Sequence, residues 1–393
     1  MRLHKESSMA YKNIVLWVIN VLFMSSLSLS AYAEAFYGQS SDEQSSDKKS
    51  KQESRMDLAY DAAQKGLHHS DKFPGFASLC DIDSPLRDMS AKRSAHSKER
   101  RKNANHKPLR SHDSKRKGQS KKTSLPPTQI FENVYFVGAG NVSSWAVDTG
   151  DSIVLIDALN NEAQAQKYII DGLAALGLGN KPISHLIITH GHGDHYGGQS
   201  LISKLYSPKI IMSNHEWNWL AAGADGFSSP RWGEAPARKV GVSIGVDDET
   251  TLTVGNNTFT FYLTPGHTPG TLSVMFKAVE KDDANDGATH KAILWGGTGL
   301  NYGPDVPRIK AYTESAAKMR RLALVENIDV FLSNHPKRDG SDKKFAEINK
   351  SAIAIDSAEN AENNPFVVGK ETAMSAFDML YHCTTAQMIK AGG

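Results

Sequence analysis

The pattern of apolar and polar positions divides this chain near residue 127. Beyond Pro126-Pro127, apolar runs alternate with polar turns: Val134 to Val137, Ser144 to Val147 and Ser152 to Ile156 predict three strands of one sheet, separated by Gly-containing turns. Helical spacing from Glu162 to Leu176 stops at Gly177-Leu178-Gly179. The run Ile183 to Thr189, with Leu186, Ile187 and Ile188 at its centre, reads as a buried strand. A helix near Gln199 to Leu205, a strand Lys209 to Met212 and a helix starting at Asn214 follow. Gly223 to Ala237, with Trp232 and several glycines and prolines, loses all periodicity and reads equally as a mobile lid or an ordinary surface loop. Thr251 to Val254 and Thr258 to Leu263 flank Gly255-Asn256-Asn257, a hairpin signal. Ser273 to Phe276 and Ala292 to Trp295 continue a second sheet. A helix Thr313 to Glu326, a strand Val330 to Leu332 and helical stretches near Lys343 to Ala354 and Glu371 to Ala391 close the chain. Strands followed by helices, twice over, predict an α/β fold of two sheets packed face to face with helices outside.

Upstream of residue 127 the pattern is different. Arg2, Lys5 and Lys12 precede an apolar run from Ile14 to Leu29 and then Ala31-Tyr32-Ala33, the form of a secretory signal (residues 1–33) cleaved after Ala33. A retained anchor is the alternative, but the run contains Asn20 and serines and is short for a membrane span. No later apolar run approaches that length, so the mature chain is expected to have no transmembrane segment and to be periplasmic or secreted. Residues 34–55 have almost nothing to bury and are expected to be disordered. Within the extension 34–90, Met56 to Leu67 could form one short helix, and the apolar segment from Phe73 to Cys80 should pack on something.

Charge changes this picture in one place. From Ala91 to Lys122 there are 13 Lys or Arg against only Glu99 and Asp113, with one leucine and no aromatic residue. Residues 91–126 therefore read as a flexible basic linker, or as a contact to an anionic surface through 91–122. Without interleaved aromatic residues, specific nucleic-acid binding is not expected. Because the whole chain is only +2, the folded domain, residues 127–393, must be acidic. Export would put Cys80 and Cys383 in an oxidising compartment, where they either form a disulfide or remain two buried thiols.

The candidate chemistry is concentrated in His190-Gly191-His192-Gly193-Asp194-His195, directly after the Ile183 to Thr189 strand. Three imidazoles and a carboxylate within six residues suit a borderline metal such as zinc. Two later histidines lie at strand exits: His267 in Thr264-Pro265-Gly266-His267-Thr268-Pro269-Gly270, and His335 in Ser333-Asn334-His335-Pro336. In this combination the chain resembles the metallo-β-lactamase fold superfamily, over a stretch from about Asn133 to His335.

That resemblance implies a four-layer αβ/βα sandwich. It also implies two Zn2+ per chain, the first held by His190, His192 and His267 and the second by Asp194, His195 and His335. Asp157, at the end of the strand Ser152 to Ile156, would stand behind the ligands and orient them. Paired zinc ions make hydroxide available near neutral pH, so His190, His192, Asp194 and His195 would serve catalysis by hydrolysis. Many hydrolytic branches of the superfamily place a bridging aspartate where this chain has Gly296-Gly297-Thr298, so the resemblance is nearer to the His-rich third subclass of zinc β-lactamases. That subclass often uses serines to hold the substrate carboxylate; Thr298 and Asn301, or Lys337 and Arg338, would take that task here. The expectation is an exported zinc hydrolase opening the amide of a small-molecule β-lactam. Its alternatives are a metallo-hydrolase of another ester, lactone or amide, and a binding protein with a structural metal site. Iron or manganese is not excluded by the donor types.

Overall fold

The computed structural model describes residues 50–89, 124–281, 287–353 and 364–393. The signal-like segment 1–33, the polar stretch up to residue 49 and the basic run 91–122 lie outside the described residues. The described residues up to Leu58 belong to one unit and Ala59–Gly393 to another.

In the first unit, residues 50–58 are helical, which corrects the expectation of disorder through residue 55. Lys51, Gln52, Glu53 and Arg55 are good helix formers even when exposed, and composition read only for burial overlooks that propensity.

In the second unit, twelve strands among the described residues form two sheets. The first has the order β1 (Thr128–Phe131), β2 (Val134–Phe136), β3 (Trp145–Asp148), β4 (Ile153–Ile156), β5 (Ile183–Ile187), β6 (Lys209–Ser213) and β7 (Ser243–Val246). β1 to β4 are antiparallel, and β4 through β7 are parallel. The second sheet runs in the order β12 (Val330–Ser333), β11 (Thr289–Trp295), β10 (Leu272–Val279), β9 (Asn257–Leu263) and β8 (Thr250–Val254). β1 and β7 escape the sequence pattern because β1 opens on the polar pair Thr128-Gln129 and β7 is only partly buried.

Alternation along β2 to β4 sends Val134, Phe136, Trp145 and Ile156 inward, where they meet Phe259, Phe261, Leu272 and Leu294 of the second sheet. The other face of the first sheet, with Leu155, Leu186 and Met212, is covered by Ile169, Leu173, Ile202 and Trp217. These belong to α1, which runs through Glu162–Gln164, Ala165–Ile170 and Asp171–Ala175, to α3 (Gln199–Tyr206) and to α4 (Asn214–Ala221); α2 is the single turn Gly193–Tyr196. The middle of α1 is a π-helical turn.

On the far side of the second sheet lie α5 (Val306–Glu326) and α8 (Lys370–Lys390), while α6 (Pro336–Asp339) follows β12 and α7 (Ser341–Ile353) turns Phe345 into the core between the sheets, against Phe136 and Trp145. α5 begins seven residues before the expected Thr313, because Asp305 accepts the Arg308 N–H as a cap and Pro307 suits the first turn. The segment Phe73 to Cys80 finds its partner on this face. Phe73 and Phe76 pack edge-on against Phe331, which also meets Phe377 of α8. Cys80 is bonded to Cys383 of the same helix. The four layers of an αβ/βα sandwich are thus present. Among the described residues no helix is long and apolar enough to cross a membrane.

Candidate metal centre

The site lies where β4, β5, β9 and β12 end. β5 stops at Ile187; after His190 and Gly191, His192 stays extended and Gly193 opens α2, so Asp194 and His195 project from one helical turn. A Cβ on Gly193 would lie 2.2 Å from Trp232 Cγ, which makes glycine obligatory beneath that indole. β9 leads to His267, and β12 leads to His335 at the cap of α6.

The structure brings all six proposed ligands together as two groups. His190, His192 and His267 form one, and Asp194, His195 and His335 the other, the donor atoms of each group lying within 4.8 Å of one another. The groups adjoin, with the His190 and His195 rings 4.2 Å apart.

Hydrogen bonds orient the rings. His195 Nδ1 donates to Asp157 Oδ2 (2.8 Å), His267 Nδ1 to the Gly299 carbonyl (2.5 Å) and His335 Nδ1 to the Asn141 carbonyl (2.7 Å). With Nδ1 engaged, each of these rings turns Nε2 to its group. The Nε2 atoms of His190 and His195 are buried and have no hydrogen-bond partner among the described residues. Buried nitrogens left without partners, converging with a carboxylate, fit a metal ion and have no role in an apolar core.

Electrostatics agree with ligation. Burial, reinforced by the neighbouring imidazoles, pushes His190, His192 and His335 below the usual histidine range, and His267 down to about 3. These rings are neutral and free to coordinate. Burial would raise Asp194, but His195, His335 and His192 outweigh it and hold the carboxyl at about 2. His195 is pushed down by burial yet ends above its ordinary value, because Asp194 and Asp157 face it.

Asp157 sits as a non-glycine residue at φ 64°, fully buried. Its Oδ1 accepts the Thr189 N–H (2.8 Å), and its Oδ2 takes the Thr189 hydroxyl (3.0 Å) as well as His195. Backbone strain of this kind persists only where surrounding contacts compel it.

Glu216 was not foreseen. From the first turn of α4 its Oε1 accepts the Gly191 N–H (2.6 Å) and its Oε2 the Gly270 N–H (2.7 Å). One carboxylate thus links the loop of His190 and His192 to the loop of His267. Burial pushes it up to about 7 against those donors. A signal existed: Ser213-Asn214-His215-Glu216 is a capping-box pattern, and Ser213 Oγ does accept the Glu216 N–H (3.0 Å). The glutamate turns outward to two other loops instead of back to its own cap.

A cavity of about 710 Å³ opens over the two groups, and both Thr298 and Asn301 line it, as do Lys337 and Arg338. Gly297 leaves no room for a carboxylate, since a Cβ there would meet His267 Cβ at 2.5 Å. The stretch Gly223 to Ala237 folds over the cavity: Phe227 stacks on the His192 ring at 4.6 Å, and Trp232 lies parallel to it at 6.3 Å. The Gly233 N–H donates to the Asn160 carbonyl (2.9 Å) and Asn161 Nδ2 to the Arg231 carbonyl (2.9 Å), so its far end is tied down.

Comparison with known proteins gives a consistent result. Residues 137–283 match the family described as the metallo-beta-lactamase superfamily. A probable metallo-hydrolase of Bacillus subtilis, YybB, is 29% identical over 130 residues, 33% of this chain and 54% of that protein. The uncharacterized protein YobT of the same organism is 26% identical over 152 residues, 37% of this chain and 61% of that protein. The chain thus spans less than two thirds of the length of these relatives. Among solved structures, a mutant of the FEZ-1 metallo-beta-lactamase from Legionella gormanii superposes with a TM-score of 0.56 at 21% identity, covering 70% of this chain and all of that one. Native FEZ-1 gives 0.54 at 21% identity over 69% of this chain and 98% of that one. At such identity the likeness shows the fold.

Proposed function

We propose, from the match of residues 137–283 to the metallo-beta-lactamase superfamily, that this chain is an exported metal-dependent hydrolase that holds two zinc ions and opens the amide bond of β-lactams. The observation that carries the reading is the pair of donor groups, each within 4.8 Å, one all-histidine and one with Asp194. His190, His192 and His267 would hold the first ion, and Asp194, His195 and His335 the second. Zinc bound there supplies a water acidified toward neutral pH and a Lewis acid for the scissile carbonyl.

The chain's own residues do the rest. Asp157, the Gly299 carbonyl and the Asn141 carbonyl keep the Nδ1 protons of His195, His267 and His335, so that each Nε2 lone pair faces the reacting centre. Asp194 stays ionised throughout the neutral range and is the carboxylate of the second donor group. Phe227 and Trp232 shelter His192 from bulk water, which strengthens every charge interaction beneath them. Thr298 and Asn301 stand in the cavity wall to receive polar groups of the substrate.

Support for export comes from the signal-like residues 1–33 and from the Cys80–Cys383 bond, which suits an oxidising compartment. The test is nitrocefin turnover by purified protein, abolished by a chelator and restored by zinc. Hydrolysis of lactones or esters without any lactam turnover would move the substrate outside the β-lactams. Two tightly bound zinc ions and no hydrolysis of any of these would overturn the enzyme reading.

A further inference from the structure

The wall of the cavity is not made by the family-matched stretch alone. After the 3₁₀ turn Pro74–Leu79 and the bond from Cys80 to Cys383, the chain runs to Arg87 and Met89 and pairs there with the loop after β11. The Met89 N–H donates to the Asn301 carbonyl (2.7 Å), the Gly303 N–H donates to the Arg87 carbonyl (3.0 Å), and Asp88 bridges Tyr302. This pairing sets Arg87 and Met89 in the cavity wall together with Lys337 and Arg338. Arg338 is fastened to the same segment, its Nη1 donating to the Gly75 carbonyl (2.6 Å) and to Ser78 Oγ (2.9 Å). Its Nη2 lies 3.8 Å from where a Cβ on Gly299, another lining residue, would stand.

The charge of this wall is one-sided. Among the lining residues Arg87, Arg231, Lys337 and Arg338 are cationic, while the only carboxylate is Asp194, which belongs to the ligand group. The apolar part of the lining includes Met89, Ala139 and Tyr168 as well as Phe227 and Trp232, the last two stacked over His192. Cations gathered in a cleft focus the field and favour an anionic guest, and a guanidinium matches a carboxylate in shape as well as charge. Backbone pairing and the disulfide hold the segment in place beforehand, so less freedom is lost when a guest binds.

We infer that the segment Cys80 to Met89 is a specificity wall of this site, and that Arg87 selects substrates carrying a carboxylate away from the bond to be cleaved, with an aromatic portion against Phe227 and Trp232. The inference rests on the hydrolase reading only for which bond is broken; recognition of the anion is independent of turnover.

The experiment uses two probes without a scissile bond, phenylacetate and its neutral counterpart 2-phenylethanol, titrated calorimetrically into the zinc-loaded full-length protein. Arg87 is exposed, so Arg87→Ala and Arg87→Glu leave the core untouched. An exposed ion pair predicts that phenylacetate binds about three- to fivefold more weakly to the alanine variant, and more weakly still to the glutamate variant. The affinity for 2-phenylethanol should be the same in all three proteins. In the wild type, added salt should weaken phenylacetate more than it does in Arg87→Ala. Equal changes for both probes, or phenylacetate binding indifferent to Arg87→Glu, would overturn the assignment. Because neither probe is hydrolysed, failure of lactam turnover leaves this result standing, and failure here leaves the hydrolase reading standing.

Discussion

Asp157 and Glu216 are both buried carboxylates beside the histidine cluster, and they hold different parts of it. Asp157 accepts three hydrogen bonds, one of them from the His195 imidazole. In Asp157→Asn one of the two oxygens becomes an NH2 donor, which cannot accept from Thr189 or His195. Zinc affinity of the second group should fall about 10- to 100-fold, read by competition with a chromophoric chelator, while the far-UV circular dichroism stays unchanged. Around Glu216 stand the Gly191 and Gly270 N–H groups, the Thr268 hydroxyl and, more weakly, Arg308, yet burial outweighs them and raises it from 4.5 to about 7. Such a group favours folding while protonated: its contribution is complete below about pH 4.5 and is lost as pH rises through 7. A shift of that size corresponds to about 3 kcal/mol. Denaturant titrations of the metal-free protein at pH 5 and pH 8 should show a drop in the wild type that is smaller in Glu216→Gln by roughly this amount; an identical drop in both proteins would refute it. The ligands His190, His192, Asp194 and His195 were legible because ligand chemistry needs particular residue types close together. Glu216 was not, since its partners are main-chain N–H groups 25 and 54 residues away, which any residue offers.

At the level of elements, the apolar periodicity located the long helices and most strands, and it failed where local signals were weak. β1 and β7 carry weak apolar patterns and exist because neighbouring strands supply hydrogen-bond partners. The stretch Gly223 to Ala237 had no period at all, yet Phe227 and Trp232 find a stacking surface on His192 that only assembly creates. Likewise Phe73 and Phe76 acquire a neighbour, Phe331, from the far end of the chain. The bond between Cys80 and Cys383, 303 residues apart, pins that N-terminal segment to α8. Replacing both cysteines by serine should cost about 2–5 kcal/mol of stability, measured by denaturant unfolding, with reductant lowering the wild type toward the variant. A stability unaffected by reductant would mean that the segment is held by Phe73, Phe76 and the Arg338 contacts alone.

For the whole molecule, the two donor groups join loops from both sheets: His190, His192, Asp194 and His195 follow β5 of the first, while His267 and His335 follow β9 and β12 of the second. Metal held between them would bind the native fold and not the unfolded chain. Removing it with a chelator should therefore lower the thermal midpoint, and zinc at about 1,000 times its Kd should restore roughly 4 kcal/mol. An unchanged midpoint would show that the sandwich closes without help from the centre. The amino-acid sequence by itself determined the order of most strands and of the long helices, the α/β class, and the residue types able to ligate a metal, because those follow from local periodicity and from donor chemistry. Only the tertiary structure decided which nitrogen of each histidine faces inward, that Glu216 links two loops, and that Arg87 belongs to the cavity wall. Each of these depends on directions and distances between residues tens to hundreds of positions apart, and such distances are set by the packing of the two sheets.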